Sequence, residues 1–267
     1  MLSSGFMINS PAIAEPNENA NDNAKRTFEL PKNAIQISPG IFHVSALHEG
    51  KLVDGIIAFH HRNGHSGGPG GGGTEKTTGG EKCYTLYAKG AKWKGAPEDY
   101  IIDPNNVLGL SNQDVRNAIN DAVATWEASG SDGIFGSEIS GTVDGIDSVS
   151  PDGKNEVLFG DLGPNTLGVT ITWGYFSGPP PTRELIEWDQ MYNQVDFTNW
   201  TIDPNGAVAG NFDFLSIATH EMGHSAGLSH PSDTCVEETM YRYVSTGDDK
   251  DRDLHAGDIA GIQNLYG

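Results

Sequence analysis

The chain has 267 residues, 16 of them basic and 36 acidic, for a formal net charge of −20 at pH 7. So acidic a balance weighs against nucleic acid or an anionic membrane surface as partner. Nowhere does the sequence approach the roughly 20 consecutive apolar residues of a membrane-spanning helix. The length is ample to bury a core, as one large domain or as a domain with a pro-segment.

In chain order, residues 1–14 are fairly apolar and end in Ala12-Ile13-Ala14, similar to the small-x-small site of a secretory signal, although the basic n-region is missing. With the polar stretch Glu15 to Lys25, residues 1–27 read as a signal-like or disordered segment. Short strands are predicted at Ile35–Ile37, Ile41–Val44 and Leu52–Phe59, with turns at Pro39-Gly40 and His48-Glu49-Gly50. Residues 28–66 are thus a small β-rich unit, either a pro-segment that blocks a cleft or an added strand pair. The run Gly67-Gly68-Pro69-Gly70-Gly71-Gly72-Gly73 makes residues 67–81 a linker. His60, His61 and His65 beside it are able to bind metal adventitiously, but a solvated loop is the better reading.

Residues 82–267 form the main unit. Cys83 to Ala88 alternates like a first strand, and Ser111 caps a helix whose apolar positions are Val115, Ile119, Ala122, Val123 and Trp126. Between Asp132 and Gly163, the stretches Asp144–Asp147 and Asp152–Asn155 offer oxygen ligands for calcium or are solvated turns; neither fits an EF-hand. Strands are predicted at 155–160, 167–173 and 185–193. A helix near 213–226 follows, capped by Asp213, with Phe212, Leu215, Ala218 and Met222 on its apolar face.

That helix carries His220-Glu221-Met222-Gly223-His224, continued by Gly227 and His230. Residues four apart share a helix face, so His220 and His224 present two imidazoles to one point. Glu221 sits about 100° round the helix, where its carboxylate reaches a water on the ion without binding the ion. Gly227 can take the left-handed conformation that ends a helix and lets His230 approach the same ion. Three ligands leave the fourth zinc position open, the mark of a catalytic rather than a structural site.

This eleven-residue stretch resembles the extended zinc motif H-E-x-x-H-x-x-G-x-x-H of metzincin metalloproteases. Thr239-Met240-Tyr241 is similar to the family's methionine turn, with Met240 beneath the zinc. His230 to Asp233 and the tail Gly257 to Gly267 are similar to the matrixin branch, and the resemblance spans residue 83 to the end. It implies an α+β fold with a twisted, mixed five-stranded sheet and three helices. It also implies a secreted, monomeric zinc endopeptidase with one catalytic zinc on His220, His224 and His230, Glu221 as general base and protein or peptide substrates. Such proteases pair an extended substrate with the strand above the cleft, here Leu167, Gly168, Val169 and Thr170. The matrixin structural zinc needs histidines, and residues 144–195 contain none. The chain also departs from the branch at Arg242, where proline is usual, and at a single Asp258 in place of paired aspartates. The cysteine-switch pattern is missing around Cys83, so Cys83 and Cys235 more simply form one disulfide of a secreted chain. The rival is a non-catalytic zinc-binding or adhesive module with the same fold, which would have no need of Glu221.

Overall fold

The computed structural model describes residues 26–63, 82–95, 98–130 and 133–267. The signal-like stretch 1–25, His65 and the glycine-rich run lie outside the described residues.

Three strands open the chain: β1 (Ile35–Ser38), β2 (Ile41–His48) and β3 (Lys51–Arg62). They form an antiparallel meander. Its second turn is made by Glu49 and Gly50, both left-handed at φ 50° and 76°, which matches the right-handed twist of the flanking strands. Then come β4 (Thr85–Leu86), β5 (Tyr100–Ile102), helix α1 (Asn112–Glu127), β6 (Asn155–Gly160), β7 (Thr166–Tyr175) and β8 (Glu184–Asn193). The last part holds β9 (Trp200–Thr201), β10 (Phe212–Asp213), α2 (Phe214–Ser225), β11 (Leu228–Ser229), β12 (Tyr243–Val244) and α3 (Ala256–Tyr266).

The main sheet runs β1-β2-β3-β7-β8-β6-β5, with β12 paired to the end of β3. Strands β5, β6 and β8 are parallel, while β7 is antiparallel to both its neighbours. The α+β architecture with a mixed sheet and three helices is as expected, but this sheet has eight strands rather than five. The three extra strands are β1–β3 of the N-terminal unit, which continue the sheet beyond β7; residues 82–267 supply the other five, β5, β6, β7, β8 and β12. Helices α1 and α2 cover one face over Trp126, Ile119, Trp188, Phe214 and Ile217. On the other face, Phe28, Val44, Ile57, Val169, Ile171 and Trp173 form a second apolar layer.

The expected first strand at Cys83–Ala88 shrinks to β4, which pairs with β11 and stays out of the main sheet. Ala88, Lys89 and Gly90 all have positive φ (44°, 59° and 108°), so the chain turns there and cannot extend. Helix α1 matches its predicted cap and core: Ser111 accepts from the Asp114 N–H, and Val115, Ile119, Ala122, Val123 and Trp126 are buried.

Candidate metal centre

Helix α2 is held at both ends. Asp213 caps it by accepting from Ser216 N (3.0 Å) and Oγ (2.7 Å), and Arg252 clasps the same carboxylate through Nη2 (2.6 Å) and Nε (2.8 Å). At the other end Gly227 takes φ 103°, and a Cβ there would come 2.8 Å from the Ala91 carbonyl oxygen. Trp93 Nε1 donates to the Ser225 carbonyl (3.0 Å) and the Tyr266 hydroxyl to that of Ala226 (2.8 Å), satisfying carbonyls left over at a helix end. The chain then reverses into β11 and returns His230 to the helix.

His220, His224 and His230 are buried, with their ligand atoms all within 4.8 Å of one another. The Nε2 of His230 lies 3.2 Å from that of His224 and 3.3 Å from that of His220. Zinc–nitrogen bonds of about 2.0–2.1 Å in a tetrahedron would separate ligand nitrogens by roughly 3.3 Å. The ring orientation also fits. His220 Nδ1 lies 2.7 Å from the Thr239 carbonyl oxygen and His224 Nδ1 lies 2.8 Å from that of Leu228. Donation from each Nδ1–H leaves the Nε2 lone pairs facing one another, an arrangement that calls for a cation. The Tyr87 hydroxyl supports His224 from 2.9 Å. Burial pushes His224 down to about 4, and burial with the neighbouring imidazole pushes His220 well below the usual histidine range. Neutral imidazoles are the form that binds metal.

Glu221 is fully buried beside them, and Thr170 Oγ1 donates to its Oε2 at 2.6 Å. Burial pushes its carboxyl up to about 8, against the lowering effect of the Thr170 bond. Strand β7 can lie this close because residue 168 is glycine: a Cβ there would fall 2.5 Å from Glu221 Oε1. Beneath the histidines, Met240 is 1% exposed, and its Sδ abuts Gly223, whose added Cβ would be 2.3 Å from that sulfur. The lone Asp258 ties this turn to α3, accepting from the N–H groups of Thr239 (2.7 Å), Met240 (3.2 Å) and His255 (3.0 Å). Glu238 reciprocates by accepting from Gly257 N (2.8 Å) and Asp258 N (3.2 Å) at the start of α3. Cys83 and Cys235 are joined as a disulfide.

Leu167, Gly168, Val169 and Thr170 lie in β7, but β7 is not an edge strand. β3 pairs along it from Asp54↔Gly174 to His61↔Thr166. A solvated-loop reading of His60 and His61 is therefore incorrect, since both lie in β3 and His60 is 0% exposed. The His60 ring stacks on that of His220 with centroids 3.7 Å apart, and its Nδ1 lies 3.6 Å from Glu221 Oε1. The alternation Ile56, Ala58, His60, all buried, is the sequence signal that puts this histidine on an inner face. Tyr87, Thr239 and Asp258 act through hydrogen bonds across long sequence separations, which no local pattern announces.

A second group of possible ligands joins the 144–155 loop to β8: Asp147, Asp152 and Glu187 have ligand oxygens within 4.8 Å of one another. Glu156 and Asp189, opposite each other on β6 and β8, are buried beside them. Burial pushes Asp147 up to about 6, Glu156 to about 7 and Glu187 to about 8. Lys154 bonds Asp144 and Asp152, both at 2.6 Å. Glu187 Oε1 remains buried without a hydrogen-bond partner.

A helix that delivers two histidines, breaks at a glycine and brings back the third above a methionine turn defines the metzincin class. Within that class, the matrixin family model matches residues 186–267, so the chain resembles the matrixin-type metzincins. It is 31% identical over 195 residues to metalloendoproteinase 2-MMP of Arabidopsis thaliana, covering 70% of this chain and 46% of that protein. Against matrilysin of Homo sapiens it is 44% identical over 68 residues, 26% of this chain and 23% of that protein. Stromelysin-1 of Rattus norvegicus is 29% identical over 185 residues, 69% of this chain and 35% of that protein. The chain thus spans less than half the length of these relatives.

Proposed function

We propose that this chain is a secreted, zinc-dependent endopeptidase that cleaves protein or peptide substrates as a monomer. Residues 82–267 are its catalytic domain, 67–81 a linker, 28–66 a pro-segment and 1–27 a leader. The observation that carries the reading is Glu221, a buried carboxylate with Oε2 fixed by Thr170 and Oε1 unpartnered beside three converging imidazoles. A module that only bound metal would have no use for it. The nitrogen donor set fits zinc, and His220, His224 and His230 would hold the ion through Nε2. Bound zinc supplies Lewis-acid polarisation of the scissile carbonyl and acidifies a water.

The remaining steps belong to the chain. Glu221 accepts the proton of the attacking water at Oε1 and passes it to the departing amine nitrogen. Thr170 fixes the orientation of that carboxylate, so no side-chain search precedes the transfer. The Thr239 and Leu228 carbonyls hold the two helix imidazoles in the ligating tautomer. Family relatives named as metalloendoproteinases support the reaction class. The disulfide supports an oxidising, extracellular setting.

The all-oxygen group at Asp147, Asp152 and Glu187 fits calcium rather than a second zinc, since it offers hard carboxylates and no imidazole or thiolate. Its buried, partnerless Glu187 oxygen is the observation that asks for a cation.

The test of the endopeptidase reading is turnover of a quenched general protein substrate, with metal content measured alongside. Zinc-loaded chain freed of residues 28–66 by a cut in the 67–81 stretch should cleave it in a chelator-sensitive way, and Glu221→Ala prepared alike should keep its zinc while losing about 100- to 10,000-fold in rate. Full activity in Glu221→Ala would remove it as the base. Bound zinc with no turnover on any peptide library would favour the binding module.

A further inference from the structure

We infer that a cation on Asp147, Asp152 and Glu187 fastens the turn end of β2 and β3 to the rest of the chain, so that calcium sets how firmly the N-terminal unit is held there. The inference rests on the calcium reading of that group and adds what the ion controls.

The first ground is how the loop before β6 gets its shape. Residues 143–154 contain no helix or strand, so carboxylates hold their backbone instead. Glu156 accepts from the N–H groups of Asp144 and Gly145, both at 3.2 Å, Asp189 from that of Asp147 (2.9 Å), and Glu187 Oε2 from that of Gly153. Asp147 and Asp152 belong to the loop itself, and Glu187 brings a ligand oxygen within 4.8 Å of theirs. Its Oε1 is buried without a hydrogen-bond partner. Carboxylates this close repel one another when ionised. A divalent cation among them draws the loop onto β8, and without one the group must take up protons or spread apart.

The second ground is what rests on the other side of the loop. Arg26 Nη2 donates to the Val143 carbonyl (3.3 Å), and His48 Nδ1 lies 3.2 Å from the Pro151 carbonyl oxygen. Trp173 Nε1 donates to the Asp147 carbonyl at 2.8 Å. Trp173 is the β7 residue opposite Gly55 of β3, where a Cβ would come 2.9 Å from its ring and 2.7 Å from Val44. Asp147 thus offers its carboxylate to the ion and its carbonyl to the ring against which β2 and β3 lie. Val143 and Ile146 pack on the layer that contains Phe28, Val44, Val53 and Ile57. The cation group and the seat of the N-terminal unit are two sides of one loop.

The third ground is position along the strands. The β3–β7 ladder begins at Asp54↔Gly174, beside this loop, and ends at His61↔Thr166, beside the histidines. Leu47 and Leu52, paired across the β2–β3 turn, are 71% and 58% exposed, so their side chains do little to anchor it. The loop contacts are what hold that end, and an ion that favours the ordered loop favours the seated strands by the same free energy.

The test follows amide hydrogen exchange by mass spectrometry in the full, zinc-loaded chain with and without calcium. Calcium should slow exchange in residues 144–155 and also in residues 44–55, the latter by about 5- to 150-fold, the usual range for coupled sites, and by more than in α3. Glu187→Gln should lose both responses. Asp152→Asn, at an exposed position of the same group, gives the same readout where the first variant fails to fold. Slowing confined to 144–155, or no greater in 44–55 than in α3, would overturn the inference and leave the calcium reading standing. No slowing of 144–155, or a response in the variants equal to that of the unmutated chain, would bring down the calcium reading and the inference with it.

Discussion

The acidic group at Asp147, Asp152 and Glu187 gives the chain a pH dependence opposite to that of carboxylates held ionised by a cation or by hydrogen bonds. Glu187 is 1% exposed, and burial lifts it from 4.5 to about 8, with Asp147 and Asp152 adding to the rise and the Gly153 N–H opposing it. The folded state therefore holds a proton that the unfolded state has released. Stability is greatest at the acid end of this window and falls as pH rises from about 4.5 to about 8. At about 1.4 kcal/mol per pK unit, the ceiling for Glu187 is about 5 kcal/mol. Asp147, Glu156 and Asp189 titrate with it as one group, so that ceiling is not multiplied by their number. Calcium should reverse the loss, contributing about 2.7 kcal/mol at a hundred times its dissociation constant. The assay is urea unfolding of zinc-loaded protein from pH 5 to pH 8, in EGTA and in calcium, for the unmutated chain and Glu187→Gln. The difference between the two chains isolates this group from Asp251, which burial also pushes up, to about 7. Two results would refute the reasoning: a pH profile in EGTA no steeper than that of Glu187→Gln, or the same calcium stabilisation in both.

Removing the disulfide with Cys83→Ser and Cys235→Ser opens a closure of 152 residues, and should cost about 2–5 kcal/mol in denaturant unfolding. No shift in the urea midpoint would mean the bridge constrains little. Asp258→Ala strips the acceptor from the N–H groups of Thr239, Met240 and His255, and should destabilise the chain by about 3–5 kcal/mol. Because the Thr239 carbonyl bonds His220, the same variant should release zinc faster to a chelator. Unchanged release would separate the methionine turn from ligand positioning.

What was legible in the sequence was whatever a short stretch specifies by itself. The spacing of His220, His224, Gly227 and His230 is a statement about helical turns and one left-handed residue, and the chain realises it locally. So are the caps at Ser111 and Asp213. Partner choice between strands is different, because alternation states which face a side chain takes and not which strand lies alongside. The strands at residues 35–59 were readable, yet their placement on β7 was not. The solvated-loop reading of His60 fails for the same reason: the residues that follow it in sequence are polar and glycine-rich, while its neighbours in space are His220 and Glu221. The expected strand at residue 83 failed for a backbone reason, since Ala88 and Lys89 adopt conformations that composition does not disclose.

Strand β7 shows how these levels combine at one place. Its alternate residues Gly168, Thr170 and Thr172 face α2. Gly168 makes room for Glu221, Thr170 Oγ1 bonds its carboxylate, and Thr172 Oγ1 donates to the His224 carbonyl oxygen at 3.3 Å. Val169, Ile171 and Trp173 point the other way, into the second apolar layer. The side chains from Gly168 to Trp173 are therefore committed to supporting the helix and filling the core, while their backbone pairs with β3 on one side and β8 on the other. Because β3 already takes the β7 backbone and pairs with β12, any other extended chain can pair with β7 only by displacing part of this one.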